Sequence, residues 1–521
     1  MTYLFTNNQE IKNDVGNPIP VSKDTNTNSA SNPIHVSISS ANMPEVEIKN
    51  DLNNPIPISK DTNTNSASNP IHVSISAANM PEVEIKNDLN NPIPISKNTQ
   101  LNSESNPISV TGTVSFPTGS TDAFGRTRVT EPYTLGDYKS IYGEDPNFID
   151  HTENGGTAVH QANKACVRMT TSSNTASRVV HQTKLYHHYL PGKSQLILSS
   201  VNFYAPTANV TKRTGYFDDR NGIFFEQAGD GTLSFNIRSY VSGAVVDTKI
   251  SKNGGVYGSD DTGWNGDKVA WLDMSKTQLV WIDFQWLGVG KVRVGFVHEN
   301  EYVVCHTFYN SNNLPTVYMS MPSLPVRCEI KNTGTTTGAY MDQICSSVMS
   351  EGGYTESGTD WSIASPTLRS VSGGATLPVL AIRLKNSYHG YLNRMFARLQ
   401  NISVFTDTQN VSFKIVKLTD SSQITTSAAW VSADDNSGIE YNTGATAVGS
   451  IDIMISGYVV GGTATGSSSS TQIATTTNAR KNFITQNFDS TDSEIYAVLI
   501  TNMSSNQATN CGVALQWREV Y

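Results

Sequence analysis

The stretch LVWIDFQW, residues 279–286, carries apolar side chains at nearly every position. Successive side chains of a strand point to opposite faces of its sheet, so a strand of this composition must be covered on both sides. We therefore expect residues 279–286 to form a central strand of packed β-sheets. Further runs rich in β-branched and aromatic residues surround it, and Gly, Asn and Asp turn signals separate them.

These runs predict an all-β protein in which an N-terminal repetitive β shaft precedes two antiparallel β-sandwich domains of the jelly-roll kind. Predicted strands of the first domain are 166–170, 178–183, 194–204, 222–227, 233–240, 277–287, 291–297, 302–309, 316–321 and 326–332, while 340–349 is either a strand or the one helix. Those of the second are 378–384, 396–406, 411–418, 451–459, 494–502 and 512–521. The predicted divisions are an N-terminal anchor (1–9), repeats (10–114), a first sandwich (115–355), a linker (356–376) and a second sandwich (377–521).

An internal repeat fills the N-terminal part of the chain. The phrase EIKNDVGNPIPVSKDTNTNSASNPIHVSISSANMPEV begins at Glu10, returns almost unchanged at Glu47 and starts again at Glu84, which gives a period of 37 residues. Each unit holds three short Pro-led runs with strand alternation, and residues 8–114 contain no aromatic residue, Cys or Arg. Such strands cannot offset the backbone ordering cost of about 1–2 kcal/mol per residue alone.

We therefore expect copies of the same chain to complete the repeats, in a homo-oligomer whose expected state is a trimer. Two alternatives stay open: the segment is disordered, or it lies on the surface of another protein. The apolar residues Tyr3, Leu4 and Phe5 form either an anchor in a partner or a frayed terminus.

Composition excludes several function classes. The chain has 521 residues, a net charge of −9 and only 16% charged residues, and it lacks the basic face that nucleic-acid binding needs. No apolar run approaches the roughly 18–20 residues of a membrane span, and the first residues do not resemble a secretory signal. We expect a protein made in the cytoplasm and not inserted into a membrane. The five dispersed cysteines are typical of buried structural thiols.

A resemblance begins at residues 122–132, DAFGRTRVTEP. This segment resembles the DAFGRLRVSEP opening of a group of tailed-bacteriophage virion proteins. Further segments follow in that family's order: PGKSQ (191–195), GYFDDRNGIFFE (215–226), WLGVGKVR (286–293), SEGG (350–353) and WRE (517–519). The resemblance covers about 122–521 and implies a structural or appendage component of a virion; the repeats lie outside it.

Two clusters could carry chemistry. Asp218, Asp219 and Asp230 offer oxygen ligands for Ca²⁺ or, with Glu226, carboxylates for a glycosidase. The simpler interpretation is an Asx-rich turn whose charge Arg220 neutralises, so no metal is expected. His160, His181, His187 and His188 are interpreted as surface or packing histidines, since adjacent strand residues face opposite ways.

Other signals are weaker. The sequence holds no GxSxG, HExxH or Walker motif, so we expect neither catalysis nor a cofactor. Aromatic residues in predicted loops could contact glycans: Tyr354, Trp361, Tyr388, Tyr391 and Trp430.

The functional expectation is a non-enzymatic phage virion protein. It would form an oligomeric fibre or whisker-like appendage, attach to tail, neck or capsid proteins through its N-terminal region, and possess some capacity for host-surface adhesion. The alternatives are a tail-borne depolymerase with carboxylates near 218–230, and a capsid decoration or head–tail collar component.

Overall fold

The computed structural model describes residues 121–128, 131–253, 263–449, 451–462, 469–474 and 483–521. Contacts divide the chain into two units, 1–114 and 115–521, and the second is described below. The predicted anchor (1–9) and shaft (10–114) lie outside the described residues.

The first sandwich contains an eight-stranded and a seven-stranded sheet, in which neighbouring strands pair antiparallel. Its strands are β1 (Tyr133–Lys139), β2 (Phe148–Glu153), β3 (Thr157–Gln161), β4 (Cys166–Thr170), β5 (Arg178–Thr183), β6 (Ser194–Asn202), β7 (Val210–Phe217), β8 (Gly222–Gln227), β9 (Leu233–Ser239), β10 (Val246–Ser251), β11 (Gln278–Phe284), β12 (Val292–His298), β13 (Glu301–Phe308), β14 (Val326–Asn332) and β15 (Tyr340–Glu351). The larger sheet has the order β13-β12-β11-β6-β15-β4-β3 with β1 beside β15, and the smaller has β10-β9-β8-β7-β14-β5-β2.

The second sandwich contains two six-stranded sheets and two two-stranded sheets. Its strands are β16 (Thr359–Ala364), β17 (Arg369–Val371), β18 (Thr376–Leu384), β19 (Ser387–Tyr388), β20 (Tyr391–Leu392), β21 (Phe396–Thr406), β22 (Val411–Leu418), β23 (Ile424–Thr426), β24 (Val431–Ser432), β25 (Ile439–Asn442), β26 (Ala445–Val448), β27 (Asp452–Val459), β28 (Ser469–Ala474), β29 (Phe483–Ile484), β30 (Ile495–Asn502) and β31 (Thr509–Val520). One six-stranded sheet has the order β16-β31-β21-β28 with β17 beside β31 and β29 beside β21, and the other has β24-β25-β18-β30-β22-β27. The two-stranded sheets are β19-β20 and β23-β26.

Strand β11 is central, as its composition predicts. It pairs with β6 on one side and with β12 on the other. Val280, Ile282 and Phe284 point into the core between the two sheets, where they meet Phe225 and Phe296. Trp281 and Asp283 lie on the opposite face and are also buried, so a further segment must cover this part of the sheet.

The all-β fold with antiparallel sandwiches is confirmed, and the differences from the expectation concern individual segments. Residues 356–376, predicted as a linker, carry β16 and β17, both of which pair with the last strand, β31. Residues 316–321 form no strand, whereas 340–349 belong to a strand, β15. Short 3₁₀ turns occur at Ala162–Lys164 and Ser421–Gln423. Within the described residues, no helix has the length and apolar character needed to cross a membrane.

Candidate functional site

The segment DAFGR forms a closed turn held by its own first residue. The Asp122 carboxylate accepts hydrogen bonds from the backbone N–H groups of Phe124 and Arg126 at 3.0 and 2.8 Å. It also accepts one from the Arg126 Nε at 2.7 Å. Gly125 has φ +81°, a left-handed conformation that favours glycine. The motif therefore specifies a turn shape.

This turn lies on the outer face of the larger sheet of the first sandwich. The Ala123 N–H donates to the Ser194 Oγ at 3.2 Å, and this hydroxyl donates to the Asp283 Oδ1 at 2.6 Å. Arg128 donates to the Asp283 Oδ2 at 2.9 Å, and Arg293 donates to the same oxygen. Asp283 is therefore a fully buried carboxylate with two guanidinium partners.

Four of the segments that carry the resemblance meet in this arrangement. We call it the motif network, and its members are Asp122, Arg126, Arg128, Ser194, Asp283, Arg293 and Glu351. They come from 122–132, 191–195, 286–293 and 350–353, and Asp283 comes from the central strand β11. The Arg128 Nε lies 2.5 Å from a Glu351 carboxylate oxygen. Burial and the nearby Asp283 charge raise the pKa of Glu351 to about 7, although Arg128 opposes the shift.

The segment 215–226 belongs to a second ionic arrangement on the smaller sheet. The Asp219 carboxylate accepts hydrogen bonds from Arg178 at 2.6 Å and from Arg327 at 2.7 Å. The Glu329 carboxylate accepts from Arg178 and Arg213. Burial alone would raise the pKa of Glu329, but the neighbouring arginines lower it to about 2.

The acidic cluster predicted from the sequence is engaged in turns and ion pairs. The Asp218 carboxylate accepts from the backbone N–H groups of Arg220 and Asn221, and that of Asp230 accepts from the Thr232 N–H, all at 2.8 Å. Glu226 is paired with Arg213 and Lys249 at 2.7 Å each. Arg220 lies over the Tyr240 ring, and among the described residues it forms no ion pair with these aspartates; the expected neutralisation of Asp219 comes from Arg178 and Arg327 instead. This geometry fits an Asx-rich turn better than a cation or glycosidase site.

The closing segment, WRE, also serves the fold. The Glu519 carboxylate accepts hydrogen bonds from the Ser437 Oγ at 2.5 Å and from the Gly438 N–H at 2.9 Å. The Trp517 indole donates to the same carboxylate at 3.0 Å. All three of these contacts are buried, so this segment fixes the turn before β25.

The four histidines do not form one cluster. His160 contacts the Ser140 carbonyl oxygen, His188 contacts the Ser357 hydroxyl, and His187 lies between Tyr138 and the Leu324 carbonyl oxygen. Burial lowers the pKa of His187 to about 4. These three residues act in packing and local hydrogen bonding, as expected.

His181 has different surroundings. Its Nδ1 lies 2.6 Å from the Asp150 Oδ1 and 3.6 Å from the Glu144 Oε1. Burial and the charge of Asp150 raise the pKa of Glu144. Sequence reasoning missed this group because its members lie on three segments that only the folded chain brings together.

A cleft of about 820 Å³ opens where the two sandwiches meet. The first sandwich contributes β1, residues 145–147 and residues 185–188, and the second contributes Phe396, Arg398 and Phe483. Tyr133 and Tyr354 stack at the cleft with ring centroids 5.0 Å apart, and Tyr133 is 46% exposed. Polar residues that also line it include Asp137, Lys139, Asp145, Asn147, Glu356 and Arg398. Clefts that combine aromatic rings with a few polar groups are common ligand sites.

Of the aromatic residues predicted to contact glycans, Tyr354 lines this cleft and the others do not. Trp361 lies on β16 and packs against the second core, as does Tyr388, whose hydroxyl donates to the Asn436 carbonyl oxygen at 2.9 Å. Trp430 is covered by the Arg383 guanidinium at 4.3 Å from the ring centroid. Tyr391 is 76% exposed and is paired with Tyr388 across the hairpin of β19 and β20. The predicted set therefore does not form one surface.

The sandwiches also contact each other through Phe488. Its ring stacks on the His151 ring at 4.2 Å, and Arg178 and Arg327 lie 5.8 and 5.2 Å from its centroid. Arg394 donates to the Phe488 carbonyl oxygen at 2.9 Å. These contacts fix the walls of the cleft relative to each other.

All five cysteines are free; Cys345 is exposed and the other four are buried. Burial raises the pKa of Cys328 to about 12 and that of Cys511 to about 11. The expectation of buried structural thiols is confirmed for these four.

No family and no curated protein matches the sequence. Among solved structures, the chain is similar to the carbohydrate recognition domain of Emp47p at 10% identity and TM-score 0.28, over 43% of this chain and 99% of that one. It is also similar to a legume lectin-like domain from Entamoeba histolytica at 13% identity and TM-score 0.26, over 43% and 100%. A protein of unknown function from Shewanella oneidensis matches at 7% identity and TM-score 0.29, over 46% and 94%.

Proposed function

We propose that the chain is a non-enzymatic structural protein of a tailed-bacteriophage particle. In this proposal it is a homo-oligomer, expected to be trimeric, that forms a fibre or whisker-like appendage and attaches to other virion proteins through its N-terminal region. Purified full-length protein adsorbing to host cells would favour an appendage over a capsid decoration or collar component.

The observation that carries the proposal is that charged residues of the segments with the family resemblance form ion pairs within the fold. Arg128 and Arg293 of these segments pair with the buried carboxylate of Asp283, and the Asp122 carboxylate pairs with Arg126. Of the polar side chains in these segments, Glu131 lines the cleft. Enzymes typically place accessible titratable groups of perturbed pKa in a cleft, whereas the carboxylate at the centre of the motif network is fully buried. Residues that fix a turn onto a sheet instead suit a protein whose task is mechanical.

A depolymerase that uses carboxylates near 218–230 is the weaker candidate. Asp219 and Glu226 are each paired with two cations, so neither is poised as a general acid. Release of oligosaccharides from host polysaccharide by the purified protein would contradict the non-enzymatic proposal.

The proposed oligomeric state is tested by comparing the full chain with residues 115–521, which form a separate unit. Light scattering coupled to gel filtration should give three copies for the full chain and a smaller assembly for the shorter one. A monomeric full chain would overturn the proposal that sister chains complete the repeats.

Host-surface adhesion is a second candidate function, and the cleft favours it. Sugar rings stack on aromatic faces while their hydroxyls bond to carboxylates, amides and basic groups. The cleft offers the aromatic faces through Tyr133 and Tyr354 and the polar groups through Asp137, Asn147 and Lys139. We propose that any glycan contact occurs here, and not at Trp361, Tyr388, Tyr391 or Trp430.

A further inference from the structure

The group formed by Glu144, Asp150 and His181 has the composition of a metal site. Each residue offers one ligand atom, and the three atoms lie within 4.8 Å of one another. The group mixes an imidazole nitrogen with two carboxylate oxygens, the donor set that first-row divalent ions accept. It shares no residue with the acidic turns at 218–230, whose carboxylates are already engaged.

The fold holds two of these donors in register. Asp150 on β2 and His181 on β5 are directly paired residues of antiparallel strands, so their side chains leave the same face of the sheet. Glu144 reaches them from the loop between β1 and β2. The ligands thus come from two rigid strands and one loop that an ion would tie down.

The histidine is oriented before any ion arrives. Its ring is fully buried and stacks on the Phe148 ring, with centroids 4.2 Å apart and planes 14° from parallel. Nδ1 is the nitrogen that faces the carboxylates, since it lies 2.6 Å from the Asp150 Oδ1, while Nε2 is buried without a hydrogen-bond partner among the described residues. A fixed ring lowers the entropy cost of ligation.

The spacing suits a small ion. The Nδ1 atom lies 2.6 Å from Asp150 and 3.6 Å from Glu144. Tetrahedral Zn²⁺ with bonds of about 2.0–2.1 Å holds its ligands about 3.4 Å apart, so these two distances need an adjustment of less than about 1 Å. Asp150 and Glu144 are 25% and 36% exposed, which leaves a side open for a fourth ligand.

We infer that Glu144, Asp150 and His181 bind a first-row divalent cation of the Zn²⁺ class through two carboxylate oxygens and one imidazole nitrogen. The ion fastens the loop between β1 and β2, which supplies part of the cleft wall, to the smaller sheet of the first sandwich. The fourth position is open to water or to a donor from outside the chain.

The test uses the full-length protein, stripped with EDTA and titrated with ZnCl₂ by isothermal calorimetry. Glu144→Gln changes one partly exposed carboxylate, and Glu153→Gln is the matched control, since Glu153 also pairs with a histidine, His151, at the end of β2. Because other histidines could bind Zn²⁺, the quantity of interest is the difference between variants.

We expect the wild type and Glu153→Gln to bind one more equivalent than Glu144→Gln, or to bind it at least about 100-fold more tightly. Zn²⁺ should raise the melting temperature of the first two proteins only. Equal binding by all three, or stabilisation by Ca²⁺ and not by Zn²⁺, would overturn the inference. If Glu144→Gln differs from the wild type in circular dichroism without metal, Asp150→Asn takes its place.

Discussion

Arg128 and Asp283 lie 155 positions apart in the chain and form a buried ion pair at 2.9 Å. The first belongs to the segment 122–132, and the second belongs to β11, the central strand of the larger sheet. Asp283 thus faces a segment that precedes every strand of the sandwich. Trp281, on the same outer face of β11, is covered instead by β13, where its ring contacts Tyr302 and its indole N–H donates to the Val303 carbonyl oxygen.

Asp283→Asn should strongly destabilise the first sandwich. The substitution keeps the size of the side chain but leaves Arg128 and Arg293 without their shared negative partner. Loss of one member of a buried pair costs about 3–5 kcal/mol, and we expect a loss of this order in the free energy of unfolding. Urea denaturation measures it.

The matched control is Asp360→Asn, because Asp360 pairs with Arg518 at the surface, where the side chains are 41% and 30% exposed. This substitution should lower the free energy of unfolding by less than about 1 kcal/mol. Equal effects of the two substitutions would show that the motif network contributes no more than a surface pair.

Glu351→Gln should change how stability depends on pH. The pKa of Glu351 is raised from 4.5 to about 7 in the folded protein, so the folded state binds its proton more tightly than the unfolded chain does. The stability that this tighter proton binding contributes is complete below pH 4.5 and is lost as pH rises through 7. Since Gln cannot ionise, the variant should gain stability relative to the wild type between pH 5 and 8, by at most about 3 kcal/mol.

Denaturation of both proteins at several pH values measures that difference. Asp283, Arg128 and Asp122 are the charged groups that act on Glu351, and all three are unchanged in the variant. A constant difference between the two proteins from pH 5 to pH 8 would contradict the raised pKa.

Phe488→Ala should weaken the contact between the two sandwiches. The ring is half-buried and makes one stacking and two cation–π contacts across their boundary. We expect the free energy of unfolding to fall by about 2 kcal/mol and the connecting residues 352–358 to be proteolysed faster. The control is Tyr391→Ala, which removes an exposed ring. Unchanged proteolysis would indicate that Phe488 does not hold the sandwiches together.

Tyr133→Ala should weaken any binding to the host's surface polysaccharide. Tyr133 offers an exposed ring at the cleft, and removal of a stacking face typically costs about 1 kcal/mol, or about fivefold in affinity. Tyr391→Ala is again the control and should bind as the wild type does. If Tyr391→Ala weakens binding and Tyr133→Ala does not, the cleft is not the adhesion site.

Strands with strong apolar patterns could be predicted from the sequence to within a few residues. The predicted bounds of β21 and β22 agree with the structure, because both strands alternate or run apolar between clear turn signals. β16 and β17 were missed because their half-exposed, hydroxyl-rich residues resemble a linker, and only pairing with β31, about 150 residues later, makes them strands.

The sites were less predictable for the same reason. Asp150 and His181 become neighbours only through the register of β2 with β5, and the cleft needs residues from both sandwiches. The acidic turn at 218–230 could be interpreted locally, because Asx turns are formed by residues two or three positions apart. The prediction that aromatic residues such as Trp361 lie in exposed loops was wrong, because their exposure depends on packing against residues that are distant in the sequence.

The proposed virion role is tested most directly by immunogold labelling of tailed-phage particles from a lysate in which the chain is produced, with antibody raised against residues 121–521. A structural protein of the particle should be labelled on intact particles, at extended structures that project from the tail, neck or capsid. Antigen found only free in the lysate, with purified particles unlabelled, would contradict a structural role in the virion.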